Sequence, residues 1–206
     1  METAFSVGNR LIAALDAPSR ADADALVDRL AGVPSWVKVG LELFCSQGPA
    51  IVRDYTARNL RVMLDLKLHD IPETVGRSTA QVASLGAGLL TVHAGGGRAM
   101  LEAAVKNAGA MRVLAVTVLT SLDESDLVDV GANGPIADLV KRRAELAQRA
   151  GCHGVVASPH EVTAIRSVVS RDFLIVTPGV RPAGAEFVSV FWTRLVPTSR
   201  RRAAAR

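Results

Sequence analysis

The chain has 206 residues, of which 49% are apolar and 21% are charged, and this composition is typical of a globular domain with a full apolar core. Its 17 glycines, 9 prolines and 2 cysteines exclude a collagen, a disordered chain and a disulfide scaffold. No apolar run approaches the roughly 18 residues of a membrane span, and the N-terminus lacks the pattern of a signal peptide. We therefore expect a cytoplasmic protein with no membrane partner.

The formal net charge of +4 comes from the C-terminal end of the chain. Residues 187–206 contain five arginines and no acidic residue, and without them the chain has 19 basic and 20 acidic residues. Because this remainder is nearly neutral, we expect no nucleic-acid surface on residues 1–186.

Short runs rich in Val, Ile and Leu alternate with longer amphipathic segments along the chain. The runs predict seven strands, at 11–15, 36–39, 62–66, 89–93, 113–119, 154–157 and 173–176. The amphipathic segments predict helices near 19–31, 47–58, 73–86, 97–108, 134–150 and 160–169. Strands that alternate with helices in this way pair in parallel, with the helices packed over them.

Two folds fit this alternation, an open doubly wound sheet and a closed (β/α)8 barrel of the TIM type. Polar residues near the carboxyl ends of the strands help to choose between them, since a barrel mouth collects every strand end, whereas an open sheet concentrates function at one switch point. The polar residues are Asp16, Lys38, Asp65, Lys67, His93, Thr120, Ser121, Ser158 and Thr177. Their spread over all seven strands favours the barrel.

The third predicted strand carries two charged residues, Asp65 and Lys67, in an otherwise apolar run. Side chains two positions apart in a strand point to the same side, so both are expected to face the barrel interior. A buried charge needs a partner, and a pair at about 4 Å gains roughly 4 kcal/mol at an effective dielectric of 20. The alternative to a catalytic role is a structural ion pair.

Asp70 precedes Glu73 by three residues, with Pro72 between them. This spacing predicts a capped helix start, with Asp70 at the N-cap. A capping residue at the mouth of a barrel can also face a ligand, so the two roles are compatible.

The run Asp65-Leu66-Lys67-Leu68-His69-Asp70-Ile71-Pro72 resembles the D-x-K-x-x-D-I-P motif of the bacterial orotidine 5'-phosphate decarboxylases. Further similar motifs occur, in the same order and spacing, at 14–16, 37–40, 91–97, 115–121, 154–158 and 176–182. The resemblance covers about residues 9–186. It implies a (β/α)8 barrel that converts orotidine 5'-monophosphate to uridine 5'-monophosphate and carbon dioxide, with neither a cofactor nor a metal.

The resemblance also implies a role for each residue of the motif. Lys67 would protonate the carbon that loses its carboxylate, and Asp65 would lie against the substrate carboxylate. Lys38 and Asp70 would complete an alternating Lys-Asp-Lys-Asp array. Asp70 would reach into the site of a neighbouring subunit, so a homodimer is expected.

The remaining contacts that the resemblance implies are all with the substrate. Asp16 would bind the ribose hydroxyls, Thr120 the pyrimidine edge and Arg181 the 5'-phosphate. Ile71 and Pro178 would form an apolar wall, and Thr74 and Lys38 would also contact the substrate.

The chain departs from the family after about residue 186, where the family continues through a glutamine, a helix and an eighth strand ending in Gly-Arg. We therefore predict an incomplete barrel domain at 1–186 and an atypical basic tail at 187–206. The tail has the composition expected either from translation in another reading frame or from a divergent C-terminal end. The first and seventh strands would then have open edges, which the β-prone residues 187–193 could partly cover. Activity is expected to be low or absent.

Two other functions stay open at this point. Related barrels with D-x-K-x-x-D act on sugar phosphates, some with magnesium, but the pair Ile71-Pro72 and residues 119–121 favour the decarboxylase. Alternatively, the chain is a non-catalytic product whose basic tail binds nucleic acid.

Overall fold

The computed structural model describes residues 11–30, 35–132 and 134–179 in full, and residues 180 and 190–193 by their backbone. These residues form eight strands and eight α-helices. The strands are β1 Leu11–Ala14, β2 Trp36–Gly40, β3 Arg61–Leu68, β4 Leu89–His93, β5 Arg112–Val116, β6 Gly154–Val156, β7 Leu174–Val180 and β8 Val190–Thr193. The helices are α1 Arg20–Arg29, α2 Leu41–Gln47, α3 Ala50–Ala57, α4 Pro72–Ser84, α5 Gly97–Lys106, α6 Glu124–Asp129, α7 Ile136–Arg149 and α8 Val162–Arg166.

The strands form one closed barrel in chain order. Strands β1 to β7 are all parallel, and each pairs with its neighbours in chain order. β8 pairs antiparallel with both β7 and β1 and completes the ring. The prediction of an α/β barrel of the TIM type with seven recognisable strands is therefore confirmed. The eighth βα unit is replaced, as predicted, and an antiparallel strand stands where a regular (β/α)8 barrel has a parallel one.

β8 pairs with the edges of the first and seventh strands that were expected to be open. Its backbone pairs Trp192 with both Leu11 and Thr177, so each edge has a partner within the described residues. This strand lies in the segment predicted as the tail, where β-branched and aromatic residues favour an extended backbone. Residues 181–189 and 194–206, which include Arg181 and most of the predicted tail, lie outside the described residues.

Apolar side chains on the two faces of the strands build two core layers. One cluster contains strand residues only, among them Ile12, Met63 and Leu89, and therefore fills the barrel interior. The other combines the opposite strand faces with buried helix residues, as at Val37 and Leu101. This alternation fixes which side chains can reach the inside of the barrel.

The structure differs from the predicted elements in three places. Helix α2 starts directly after β2, and helix α6 starts at a capping box formed by Asp123 and Asp126, and neither helix was predicted. The fifth strand ends at Val116 rather than at 119, because its ladder with β6 stops at the pair of Val116 with Val156. In the described part of the chain, no helix is both long and apolar enough to cross a membrane.

Candidate active site

Three polar side chains lie on the interior faces of neighbouring strands, near their carboxyl ends. Met63 and Leu89 belong to the interior cluster, so Asp65 and Thr91, two residues further along β3 and β4, face the same way. Lys38 on β2 is the third. All three are buried, with 5% of Lys38, 6% of Asp65 and 0% of Thr91 exposed.

Asp65 and Lys67 form an ion pair at the end of β3. The Lys67 Nζ lies 3.0 Å from the Asp65 Oδ2, and 33% of the Lys67 side chain is exposed against 8% of the Asp65 side chain. A pair at this distance gains about 5 kcal/mol at an effective dielectric of about 20, which offsets the desolvation of the carboxylate. The pair therefore places an ammonium group at the rim of the barrel, above a buried carboxylate.

The backbone that brings Lys67 to this position is not a regular strand. Lys67 has a φ of 51°, in the left-handed region, which is uncommon for a residue with a side chain. The register between β3 and β4 shifts between Leu64 and Leu68. The predicted meeting of the two side chains is confirmed, but strand alternation alone does not explain it, because a bulge re-aims Lys67.

The Thr91 hydroxyl bonds both Asp65 and the backbone of Lys67. Its Oγ1 donates to the Asp65 Oδ1 at 2.8 Å and accepts from the Lys67 backbone N–H at 2.9 Å. The Asp65 carboxylate therefore has one oxygen on the Lys67 ammonium and the other on a hydroxyl. Both partners fix its orientation.

Lys38 pairs with Asp16, which follows β1. The Lys38 Nζ donates to the Asp16 Oδ1 at 2.7 Å, and 58% of the Asp16 side chain is exposed. The charged residues at the carboxyl ends of the first three strands thus form two ion pairs, Lys38 with Asp16 and Lys67 with Asp65.

The prediction that Asp70 caps α4 is wrong. Ile71 occupies the N-cap position, no side chain caps the helix, and the Asp70 Oδ1 accepts from the adjacent Ile71 N–H at 2.6 Å. Glu73 bonds Arg77 one turn further along the helix instead of closing a capping box. Pro72 at the first helical position moves the helix start one residue past Asp70. The Asp70 carboxylate therefore stays exposed.

The other predicted substrate contacts are spread around the mouth. Ile71 is 63% exposed, and Thr74 and Thr120 are also exposed. Pro178, in β7, is half-buried. Arg181 lies outside the described residues.

A histidine pair lies beside the ion pair. The rings of His69 and His93 stack with their centroids 5.1 Å apart, and the His93 Nδ1 accepts from the Gly95 N–H at 3.0 Å. Burial first, and then the positive charge of Arg143, lower the pKa of His93 to about 4. His93 is therefore neutral at physiological pH, and it adds no positive charge beside Lys67.

Sequence reasoning missed Thr91 and Arg143 as parts of this region. The signal for Thr91 is a single hydroxyl in a buried strand next to the charged strand. Arg143 lies on α7 between Val140 and Ala147 on the buried face of the helix, and its Nη1 donates to the Thr117 carbonyl at 2.6 Å. Burial lowers its pKa. An arginine on an apolar helical stripe was the available signal.

The described residues contain no group of three or more His, Cys, Asp or Glu side chains placed to hold a metal ion. Cys152 is buried, and burial raises the pKa of its thiol to about 12. A thiol in this state is a poor nucleophile.

Comparisons with known proteins identify the family of this chain. Residues 9–188 match the model of the Orotidine 5'-phosphate decarboxylase / HUMPS family. The chain belongs to this family.

Named relatives of the decarboxylase family match most of the chain. An orotidine 5'-phosphate decarboxylase of Anaeromyxobacter sp. (strain K) is 53% identical over 177 residues, covering 85% of this chain and 78% of the relative. One from Moorella thermoacetica is 48% identical over 188 residues, covering 86% and 75%. The crystal structure of the decarboxylase from Lactobacillus acidophilus superposes with a TM-score of 0.79 at 37% identity, covering 85% of this chain and 83% of that chain. The family resemblance seen in the sequence is therefore confirmed.

Proposed function

We propose that this chain decarboxylates orotidine 5'-monophosphate to uridine 5'-monophosphate, in pyrimidine biosynthesis, with Lys67 as the proton donor. The observation that carries the proposal is the Lys67 ammonium held 3.0 Å from a buried carboxylate at the mouth of the barrel. The names of relatives that are 48% and 53% identical support it. The reaction requires neither a cofactor nor a metal.

Lys67 supplies both a charge and a proton. When the carboxylate leaves, negative charge develops on the ring carbon, and a fixed ammonium group stabilises that charge. The same ammonium then donates its proton to the carbon as a general acid. Asp65 repels the substrate carboxylate, and this repulsion favours loss of carbon dioxide.

The second ion pair positions the sugar. Lys38 is buried and Asp16 is exposed, so the pair presents the Asp16 carboxylate to the mouth of the barrel. A carboxylate there accepts hydrogen bonds from two ribose hydroxyls. Lys38 orients Asp16 and extends the array of Asp65, Lys67 and Asp70.

The remaining contacts surround the pyrimidine and the phosphate. Thr120 bonds the pyrimidine edge, and Pro178 forms part of the apolar wall. Arg181 binds the 5'-phosphate, because a guanidinium group matches phosphate oxygens in a two-pronged geometry.

A homodimer completes the site. Asp70 and Ile71 lie side by side at the start of α4, both exposed, and Ile71 is 63% exposed although it is a large apolar residue. In the dimer, Asp70, Ile71 and Thr74 reach the site of the neighbouring subunit. The small-molecule substrate is the ligand of this site, and neither nucleic acid nor a membrane is a partner of the barrel domain at 1–186. The enzyme acts in the cytoplasm.

The proposal is tested by the ultraviolet absorbance of the orotate ring in single-turnover reactions at high enzyme concentration. We expect the wild-type chain to consume orotidine 5'-monophosphate and the Lys67→Ala variant to be slower by at least about 100-fold, since it lacks the general acid. Lys141→Ala is the matched control, because Lys141 pairs with Asp138 on the outer surface of α7. Equal rates for wild type and Lys67→Ala would refute the proposal.

A further inference from the structure

The register shift between β3 and β4 leaves three residues opposite one. Leu64 pairs with Leu90 and Leu68 pairs with Val92, so the three intervening residues of β3 face the single residue Thr91 of β4. Ladder pairing cannot satisfy all the backbone groups of such a bulge. The Lys67 N–H, at the end of the bulge, therefore needs another partner.

Thr91 supplies that partner through its side chain. Its Oγ1 accepts from the Lys67 backbone N–H and donates to the Asp65 Oδ1, so one hydroxyl bonds the backbone of one member of the ion pair and the carboxylate of the other. Thr91 is fully buried. Among the described residues, Thr91 is the side chain to which the Lys67 N–H donates.

We propose that Thr91 is a positioning residue for the decarboxylation, which holds the left-handed backbone at Lys67 and the orientation of Asp65 through one hydroxyl. This inference rests on the proposed function, in which the Lys67 ammonium must reach the reacting carbon. A left-handed residue with a side chain is strained by about 1–2 kcal/mol, so it persists only where surrounding bonds fix it. Without the hydroxyl, the bulge can relax and carry the ammonium away from its site.

The decisive variant is Thr91→Val, which keeps the shape of the side chain and removes the hydroxyl. We expect kcat to fall about 10- to 100-fold, as for the loss of hydrogen bonds to buried or charged groups. KM should change less than about 3-fold, because the proposal gives Thr91 contacts with Asp65 and Lys67 and none with the substrate. Thr91→Ser keeps the hydroxyl and should restore kcat to within about 3-fold of wild type.

Thr79→Val is the matched control. Thr79 is also fully buried, and its Oγ1 donates to the Val75 carbonyl within α4, away from β3. The Thr79→Val variant also lacks a buried hydroxyl, but its kcat should equal that of wild type. If Thr91→Val does not fold, Thr91→Ala also removes the hydroxyl and leaves a smaller side chain. An unchanged kcat in a folded Thr91 variant that lacks the hydroxyl, or a change in KM alone, would overturn the proposal.

A second measurement separates this inference from the proposed function. Hydrogen exchange of the Lys67 amide requires no activity, and the bond to Thr91 should protect that amide in wild type and in Thr91→Ser but not in Thr91→Val. If wild type shows no Lys67-dependent decarboxylation, the proposed function fails while this measurement still reports on Thr91. If the amide exchanges equally in wild type and Thr91→Val, the role of Thr91 is refuted whatever the activity.

Discussion

Two sides of the barrel contrast sharply. On one side, β2, β3 and β4 are parallel, and Lys38, Asp65 and Lys67 lie at the mouth, where Lys67 pairs with Asp65 and Lys38 pairs with Asp16. On the other side, β8 runs antiparallel between β7 and β1, and neither β7 nor β8 contains a charged residue. The first side has the groups for chemistry, whereas the second side closes the ring of strands without adding a cation.

This difference separates two requirements of the proposed reaction. Proton transfer needs a few groups fixed within a short distance, and three adjacent strands suffice to hold them. Binding of the phosphate needs a cation, and the family resemblance assigns this contact to Arg181, which lies outside the described residues. Changes on the first side should therefore lower the rate of the reaction. Changes on the second side should instead lower the stability of the barrel or the affinity for the substrate.

The largest effect is expected from removing β8. A chain that ends at residue 186 lacks the antiparallel partner of both β1 and β7, and each lost backbone hydrogen bond contributes about 1 kcal/mol. The summed loss is comparable to the total stability of a domain, about 5–15 kcal/mol, and the open edges promote aggregation. Thermal unfolding and size-exclusion chromatography measure both effects.

The control for this truncation is a chain that ends at residue 194, which keeps β8 and removes the last four arginines. It should melt close to the full chain. If the chains ending at 186 and 194 melt at the same temperature and elute alike, β8 does not stabilise the barrel, and the contrast between the two sides loses its structural basis.

A smaller effect is expected from Arg181→Ala. Loss of a charged hydrogen bond of about 1.5–3 kcal/mol should weaken the affinity for uridine 5'-monophosphate by about 10- to 150-fold. Affinity for uridine, which lacks the phosphate, should not change. Calorimetric titration of both ligands checks this, with Arg98→Ala as a control, because Arg98 pairs with Glu102 on the surface of α5. An equal loss of affinity for both ligands would exclude a phosphate contact.

The sequence predicted the first side of the barrel better than the second. Apolar runs and a two-residue charge spacing identify β3 and its ion pair, because these depend on local pattern. The left-handed Lys67 and the bond to Thr91 depend on how β3 and β4 align, and residues that are 24 apart in the chain carry no local signal of it. The antiparallel direction of β8 is likewise a tertiary property, since β-prone residues fit either direction.

The smallest effect concerns His93, on the first side of the barrel. Burial, followed by the charge of Arg143, lowers its pKa from 6.5 to about 4. The unfolded chain therefore binds a proton that the folded chain does not bind between these values, so stability falls as pH drops from about 6.5 to 4. His93→Asn can still accept from the Gly95 N–H, and it should remove this part of the pH dependence in urea unfolding. Below pH 4 wild type and variant should change in parallel. A variant that follows the wild-type curve throughout would show that folding does not lower the pKa of His93, and His93 would then become a second cation beside Lys67 below about pH 6.5.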